Sequence, residues 1–309
     1  MTAAPRPLDL AGARAGAAVY LEATRERIAL TGDDRLRWLQ GIVSNDVLAL
    51  EKAPHDKKAR ATYACALSEK GKILGDVVVL YDGKALGAWV PRDVASSLLA
   101  HWERFVIMDD VELALDDERR LIMLQGGRAS EIAHATGIAS RGAAFDDLGA
   151  GGGLAFDVHR DEAQEIVKRL VREGAVSLEP GDVHTIRVAA ARPTFAFDFD
   201  DKTYVQEAGL EKRAVSFNKG CYHGQEVVVM LEMRGKASRR LAQLHISGGT
   251  EVQPGAEVRA GDATVGKITS VITHDGAGVA LAMIKLAHAK VGEKLTVGPH
   301  EAEVRALVG

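Results

Sequence analysis

The sequence predicts an α+β fold in more than one lobe, completed by a separate β domain towards the C-terminal end. Three observations carry this. Strand-like segments alternate with amphipathic helices over the first 238 residues. Antiparallel hairpins lie between the strand–helix pairs, which argues against a doubly wound parallel sheet. From about Arg239 onward the chain becomes a series of short β runs divided by glycine turns, the pattern of a small sandwich or barrel.

Residues 17–21 and 27–30 have strand character. Thr31-Gly32-Asp33-Asp34 looks like a helix start, with carboxylates where the helix dipole favours them. Leu36 and Leu39 share a face of that helix, Trp38 packs at its edge, and Gly41 fits the position just past its end. The charged run 51–60 is a loop. Residues 61–80 form a hairpin, with strands 63–67 and 73–81 around the turn 68–72. Asp82-Gly83 is a second turn, leading into 85–90. Pro91 suits a first helical position, and Val94, Leu98, Trp102 and Phe105 follow at near-helical spacing. Short strands are expected at 111–115, 121–125 and 154–158. The glycine-rich stretch 149–153 lacks the G-x-G-x-x-G of a dinucleotide site and reads as a turn. Ala163, Ile166, Val167, Leu170 and Val171 mark an amphipathic helix ended by Gly174.

With 309 residues, 47% of them hydrophobic and 27% charged, the chain can bury a sizeable core. A formal net charge of −4 argues against nucleic acid as the main partner. The two cysteines, Cys65 and Cys221, make no disulfide framework, so a reducing compartment is expected. No secretory signal pattern is present, no apolar run approaches the roughly 20 residues of a membrane span, and a cytoplasmic location follows as the expectation.

The most informative segment is Lys219-Gly220-Cys221-Tyr222-His223-Gly224-Gln225-Glu226. Its two glycines let the backbone turn sharply or approach a ligand closely. Gln225 onward could open a helix, although Val227-Val228-Val229 equally favours a strand. In the helical case Cys221 sits near an N-terminus with Lys219 two residues away, and both features favour a thiolate. A free cysteine is also commonly a small buried hydrophobe, and both readings stand at this level. The spacing Cys221-Tyr222-His223 is not that of a zinc site, so no metal ligands are assigned.

Lys-Gly-Cys-Tyr-x-Gly-Gln-Glu resembles the signature of the YgfZ family, folate-binding proteins related in fold to the T-protein (aminomethyltransferase) of glycine cleavage. The resemblance extends to Leu39-Gln40-Gly41-Ile42-Val43-Ser44-Asn45-Asp46-Val47, to Glu69-Lys70-Gly71-Lys72-Ile73-Leu74-Gly75-Asp76, to Gln206-Glu207-Ala208-Gly209-Leu210 and to Val265-Gly266-Lys267-Ile268-Thr269-Ser270. It implies a three-lobed ring around a central folate site with a small C-terminal β-barrel. Residues 1–50 and 120–238 would form the folate-binding α+β domain, 51–119 a second α+β lobe, and 239–309 the barrel.

The same resemblance implies tetrahydrofolate, or a one-carbon derivative, as cofactor, and iron–sulfur assembly or client proteins as partners, without nucleic acid or membrane. Cys221 would be the working thiol. Tyr63 and Asp76, thirteen residues apart on the two arms of the hairpin, would line the pocket, with Asp76 near the one-carbon unit. Glu207 would accept the two adjacent donors of the pterin edge. Arg187 and Lys219 are expected beside the carboxylates of the folate tail, with Arg234 and Arg239 as alternatives, and Tyr222 and Gln225 join the binding set through the motif. A folate-dependent aminomethyl transferase, with Asp76 catalytic, is the competing reading. The chain departs from the family pattern where Ala189 replaces a glutamate, Ala191 a glycine and Met230 an arginine.

Overall fold

The computed structural model describes residues 15–52, 60–235 and 237–309. The N-terminal stretch 1–14 and most of the loop expected at 51–60 lie outside the described residues. Two five-stranded sheets and a closed six-stranded barrel make up the β structure. One sheet runs in the order Val176–Ser177, Ala18–Glu22, Arg119–Gln125, Gly153–His159, Ala143–Ala144. The other runs Arg60–Leu67, Ile73–Tyr81, Leu86–Pro91, Arg25–Thr31, Glu112–Asp116.

Alternation along these strands explains how the two sheets meet. Successive side chains of a strand point to opposite faces. Tyr63, Cys65 and Leu67, with Val78 and Leu80 on the next strand, turn inward to a central core. Ala64, Ala66, Val77 and Val79 turn outward beneath Trp38, Leu39, Leu98 and Trp102 of the helices Arg35–Ile42 and Ala95–Glu103. The other sheet behaves alike: Ala18, Tyr20, Leu121 and Met123 enter the central core. Val19, Ile122 and Leu124 pack instead under Ala163, Ile166 and Leu170 of the helix Arg160–Arg172. With both faces covered, the strands read as continuous apolar runs even though every pairing but that of Ala18–Glu22 with Val176–Ser177 is antiparallel. Leu241, Ile272 and Leu281 of the barrel join the same central core, while the barrel keeps an interior of its own.

Three sequence-based assignments shift. Sequence order groups Arg25–Thr31 with residues 120–238, but this strand hydrogen-bonds to Leu86–Pro91 and Glu112–Asp116. The two residues between Glu22 and Arg25 therefore carry the chain from one sheet to the other. Gly41 lies inside the helix Arg35–Ile42, which ends because Val43 is extended and bridges Ala66. Pro91 ends its strand, and a 3₁₀ turn over Arg92–Val94 precedes the helix.

The helix Pro180–Ala189 closes with a Schellman motif. The Arg192 N–H donates to the Arg187 carbonyl at 2.7 Å and the Ala191 N–H to the Val188 carbonyl at 3.1 Å. This geometry needs a left-handed residue after the cap, and Ala191 supplies it at φ 53°. A β-carbon there costs about 1–2 kcal/mol, so the alanine standing in the family's glycine position carries strain. Relief of that strain, less the extra freedom of glycine in the unfolded chain, predicts that Ala191→Gly stabilises the protein by about 0.5–1 kcal/mol. Thermal or chemical unfolding of the variant beside the wild type measures it.

Candidate functional site

A cleft with about 1030 Å³ of empty volume, its mouth included, opens between the two sheets and the segment that follows Leu178. Its most buried polar lining residue is Asp76. In the hairpin Cys65 faces Asp76 and Tyr63 faces Val78, so Tyr63 and Asp76 share the inner face on a diagonal. The Tyr63 hydroxyl donates to Asp76 Oδ2 at 2.8 Å, and Arg25 Nη2 donates to the same oxygen. Arg25 Nη1 bridges the Asp76 and Trp89 carbonyls, each at 3.2 Å. Asp76 is 1% exposed, and its Oδ1 has no partner among the described residues. Burial, and then the Asp76 charge, push the Tyr63 phenol well above its ordinary range, so it stays a hydrogen-bond donor.

A second carboxylate enters the cleft from a loop that carries no motif. The Asp147 N–H donates to Gln125 Oε1 at 2.7 Å, and the Tyr20 hydroxyl donates to Asp147 Oδ2 at 2.7 Å. Gln125 itself is buried and donates to the Phe145 carbonyl at 3.0 Å, so a strand end fixes the loop. Arg192 and Arg213 complete the cationic side. The Schellman turn delivers Arg192, and Arg213 lies over the Tyr63 ring, its guanidinium carbon 4.9 Å from the ring centre. Arg213 has no carboxylate partner among the described residues; its guanidinium donates to the Asp146 carbonyl at 3.4 Å.

Of the residues singled out in the sequence, the cleft receives Tyr63, Asp76 and Arg187. Arg187 is already committed: Nη1 donates to Asp198 at 2.6 Å and Nη2 to Ser270 Oγ at 2.8 Å. Thr269 Oγ1 donates to the other Asp198 oxygen at 2.7 Å, so this cluster fastens the helix to the barrel. Arg187 is therefore a buried joint and not a free partner for a folate tail.

Glu207 lies outside the cleft, which corrects its expected place at the pterin edge. Its carboxylate accepts from Arg239 Nη2 at 3.0 Å, Arg239 Nε at 3.2 Å, Ser238 Oγ at 3.1 Å and the Tyr204 N–H at 3.1 Å. These donors occupy both oxygens, tying a helix start to the first barrel strand. Arg239 is thereby spent on Glu207 as well.

The motif segment is likewise structural apart from its cysteine. Lys219 Nζ donates to the carbonyls of Gln40, Val43 and Asn45 at 2.5, 2.7 and 2.8 Å, which uses all three of its hydrogens. Tyr222 is buried, and the Gln225 side chain accepts from the Tyr222 N–H at 3.3 Å. Gly224 takes the left-handed conformation at φ 77°, and a Cβ there would lie 2.5 Å from the Ser68 carbonyl oxygen. The helix Gln225–Arg234 follows, so of the two readings left open the helix is the one adopted. Cys221 precedes that helix, is exposed, and lies outside the cleft. Cys65 is fully buried, and burial pushes its thiol far up, which makes it inert.

Sequence reading missed Tyr20, Arg25, Asp147 and Arg213. The only local signal was a cluster of charge beside strand ends, Glu22 to Arg25 and Asp146-Asp147. Among the described residues no group of three or more His, Cys, Asp or Glu could hold a metal, and no helix is long and apolar enough to cross a membrane.

The fold is that of an aminomethyltransferase: the aminomethyltransferase T of the glycine cleavage system from Bartonella henselae superposes with a TM-score of 0.80 at 18% identity, covering 97% of this chain and 89% of that one. Residues 239–308 match the model of the CAF17 C-terminal beta-barrel domain. The tRNA-modifying protein YgfZ of Yersinia enterocolitica is 24% identical over 69% of this chain and 66% of its own length. The aminomethyltransferase of Rippkaea orientalis is 25% identical over 91% and 82%. A putative chloroplastic transferase of Arabidopsis thaliana is 33% identical over 44% of the chain, a match spanning only 31% of that relative. In sequence the chain is thus similar both to YgfZ and to aminomethyltransferase, and in fold to the latter.

The Glu207 cluster yields a pH-dependent prediction. Burial alone would raise this carboxyl, but the Arg239 hydrogen bonds and the Tyr204 N–H outweigh it and hold it below its ordinary 4.5. A carboxyl lowered in the folded state contributes stability above its unfolded value and loses it as pH falls through the folded one. Glu207→Gln should therefore lower stability by about 1–3 kcal/mol at pH 7. The gap to wild type should close on acidification below pH 4.5, as read by melting curves across pH.

Proposed function

We propose that this chain binds tetrahydrofolate, or a one-carbon derivative of it, in the cleft around Tyr63 and Asp76, and acts as an accessory protein in iron–sulfur cluster assembly or repair through Cys221. The observation that carries the folate part is Asp76 Oδ1, a buried carboxylate oxygen on a cleft-lining residue with no partner among the described residues. An unpaired buried acceptor costs roughly 1–3 kcal/mol, and a ligand N–H removes that cost. A bound folate supplies ring nitrogens that can carry a one-carbon unit. Asp76 would steady positive charge developing there or hold a proton at Oδ1, while Arg25 and Tyr63 keep Oδ2 engaged.

With Glu207 spent on Arg239, Asp147 is the carboxylate left to meet the pterin edge. Tyr20 holds one of its oxygens, and the other can accept from the cleft. Arg213 and Arg192 take the role of tail partners that Arg187 and Lys219 cannot fill. Cys221 is exposed on a loop outside the cleft, so its thiol would meet a partner protein, not the folate. One thiolate does not hold a cluster alone, so a client or assembly protein must complete the coordination.

A folate-dependent aminomethyl transferase is the second reading, favoured by the same Asp76 oxygen. Calorimetric titration with tetrahydrofolate tests the shared part. Asp76→Asn should lose at least about tenfold in affinity, roughly 1.4 kcal/mol, because its amide cannot serve Arg25, Tyr63 and ligand alike. Glu207→Gln should stay within about twofold of wild type. Absence of folate binding by the wild type refutes both readings. Between them, Cys221→Ala abolishing the maturation of iron–sulfur enzymes in cells while leaving folate affinity intact supports the accessory role. Turnover of a one-carbon donor by purified protein, abolished by Asp76→Asn and spared by Cys221→Ala, supports the transferase.

A further inference from the structure

A second cavity lies beside the cleft, divided from it by the turn that contributes Leu21, Glu22, Ala23 and Arg25 to both. It has about 940 Å³ of empty volume, mouth included. Trp89 lines it from the buried side, being 2% exposed. The indole Nε1–H of Trp89 has no acceptor among the described residues, and this nitrogen can only donate. Arg27, Arg92 and Arg119 also line the cavity, and each is held by a carboxylate: Asp116 and Asp157, Glu26, and Asp157 respectively. Arg120 is different. Its guanidinium reaches only the carbonyls of Asp117 and Arg119, and it has no carboxylate partner among the described residues.

An indole N–H and a guanidinium, both lacking a strong acceptor, call for a ligand rich in oxygen. The cavity is not a bare anion hole, because Glu22 and Asp117 also line it. Glu22 already accepts from the Thr24 N–H at 2.7 Å, but the Asp117 carboxylate has no N–H donor among the described residues. A chain that alternates carboxylates with amides satisfies both requirements, since each unit brings an anion, a carbonyl oxygen and an N–H. We propose that this cavity receives the γ-linked glutamyl extension of a polyglutamylated folate whose ring lies in the neighbouring cleft, an inference that rests on the folate reading above. Arg120 takes a tail carboxylate in bidentate fashion, Trp89 donates to a tail oxygen, and the turn from Leu21 to Arg25 is the sill over which the tail passes.

Titration with tetrahydropteroyl-monoglutamate and with the corresponding triglutamate tests this. The wild type should bind the triglutamate at least about tenfold more tightly. Arg120→Gln and Trp89→Phe should each reduce that advantage to under about threefold, with monoglutamate affinity unchanged. Arg120 is exposed, so its substitution leaves the fold in place even if Trp89→Phe loosens the core. Equal wild-type affinities for the two ligands overturn the inference alone, as does an advantage that survives in Arg120→Gln. Failure of the monoglutamate to bind overturns the folate reading, and the tail site with it.

Discussion

The structure is organised around one buried charge. Asp76 sits at the meeting of four strands: its own, the Tyr63 strand beside it, the Trp89 strand on the other side, and the Arg25 strand beyond that. A lone buried carboxylate would cost several kcal/mol, so the fold must deliver a cation and a hydroxyl to it. Arg25 and Tyr63 do so, and Arg25 also ties two strand carbonyls. Because all these donors approach Oδ2 or the backbone, Oδ1 is left buried without a partner among the described residues. Stability of the second sheet and reactivity of the site thus rest on the same side chain. That coupling places the cleft on a rigid sheet face, where a ligand finds its partners already positioned.

The joints between lobes are built in the same way. Arg187 with Asp198 and Ser270, and Arg239 with Glu207, span from the α+β body to the barrel. Arg187, Asp198 and Glu207 are buried, so removing the partner of any of them would strand a buried charge, whereas Arg239 is partly exposed. Apart from Asp76 with its unpaired Oδ1, charged residues inside recognisable motifs therefore serve as cross-links here, and the other charges free to meet a ligand, Asp147, Arg213 and Arg120, lie outside every motif.

The Lys219–Glu226 segment follows that rule. Lys219 clamps three carbonyls at the end of the helix Arg35–Ile42 and just beyond it, Gly224 lets the chain pass against the hairpin turn, and Tyr222 plugs into the core. These anchors hold the loop, and Cys221 stays exposed on it. The motif is mostly a mount, and its thiol lies outside the cleft.

What the sequence determined by itself was local and periodic: the two-residue alternation of the strands, the amphipathic helix Arg160–Arg172, the hairpin carrying Tyr63 and Asp76, and the barrel from Arg239. Hydrophobic period and turn chemistry are properties of neighbouring residues, so they can be read along the chain. Which charges neutralise one another was decided only by the tertiary structure. Glu207 and Arg239 are thirty-two residues apart, Arg27 and Asp157 one hundred and thirty, and Arg25 and Asp76 fifty-one. A carboxylate in a motif looks the same on paper whether it awaits a ligand or is saturated by a distant arginine. Only folding brings the competing donors within hydrogen-bond range, and so settles which oxygen remains unpaired.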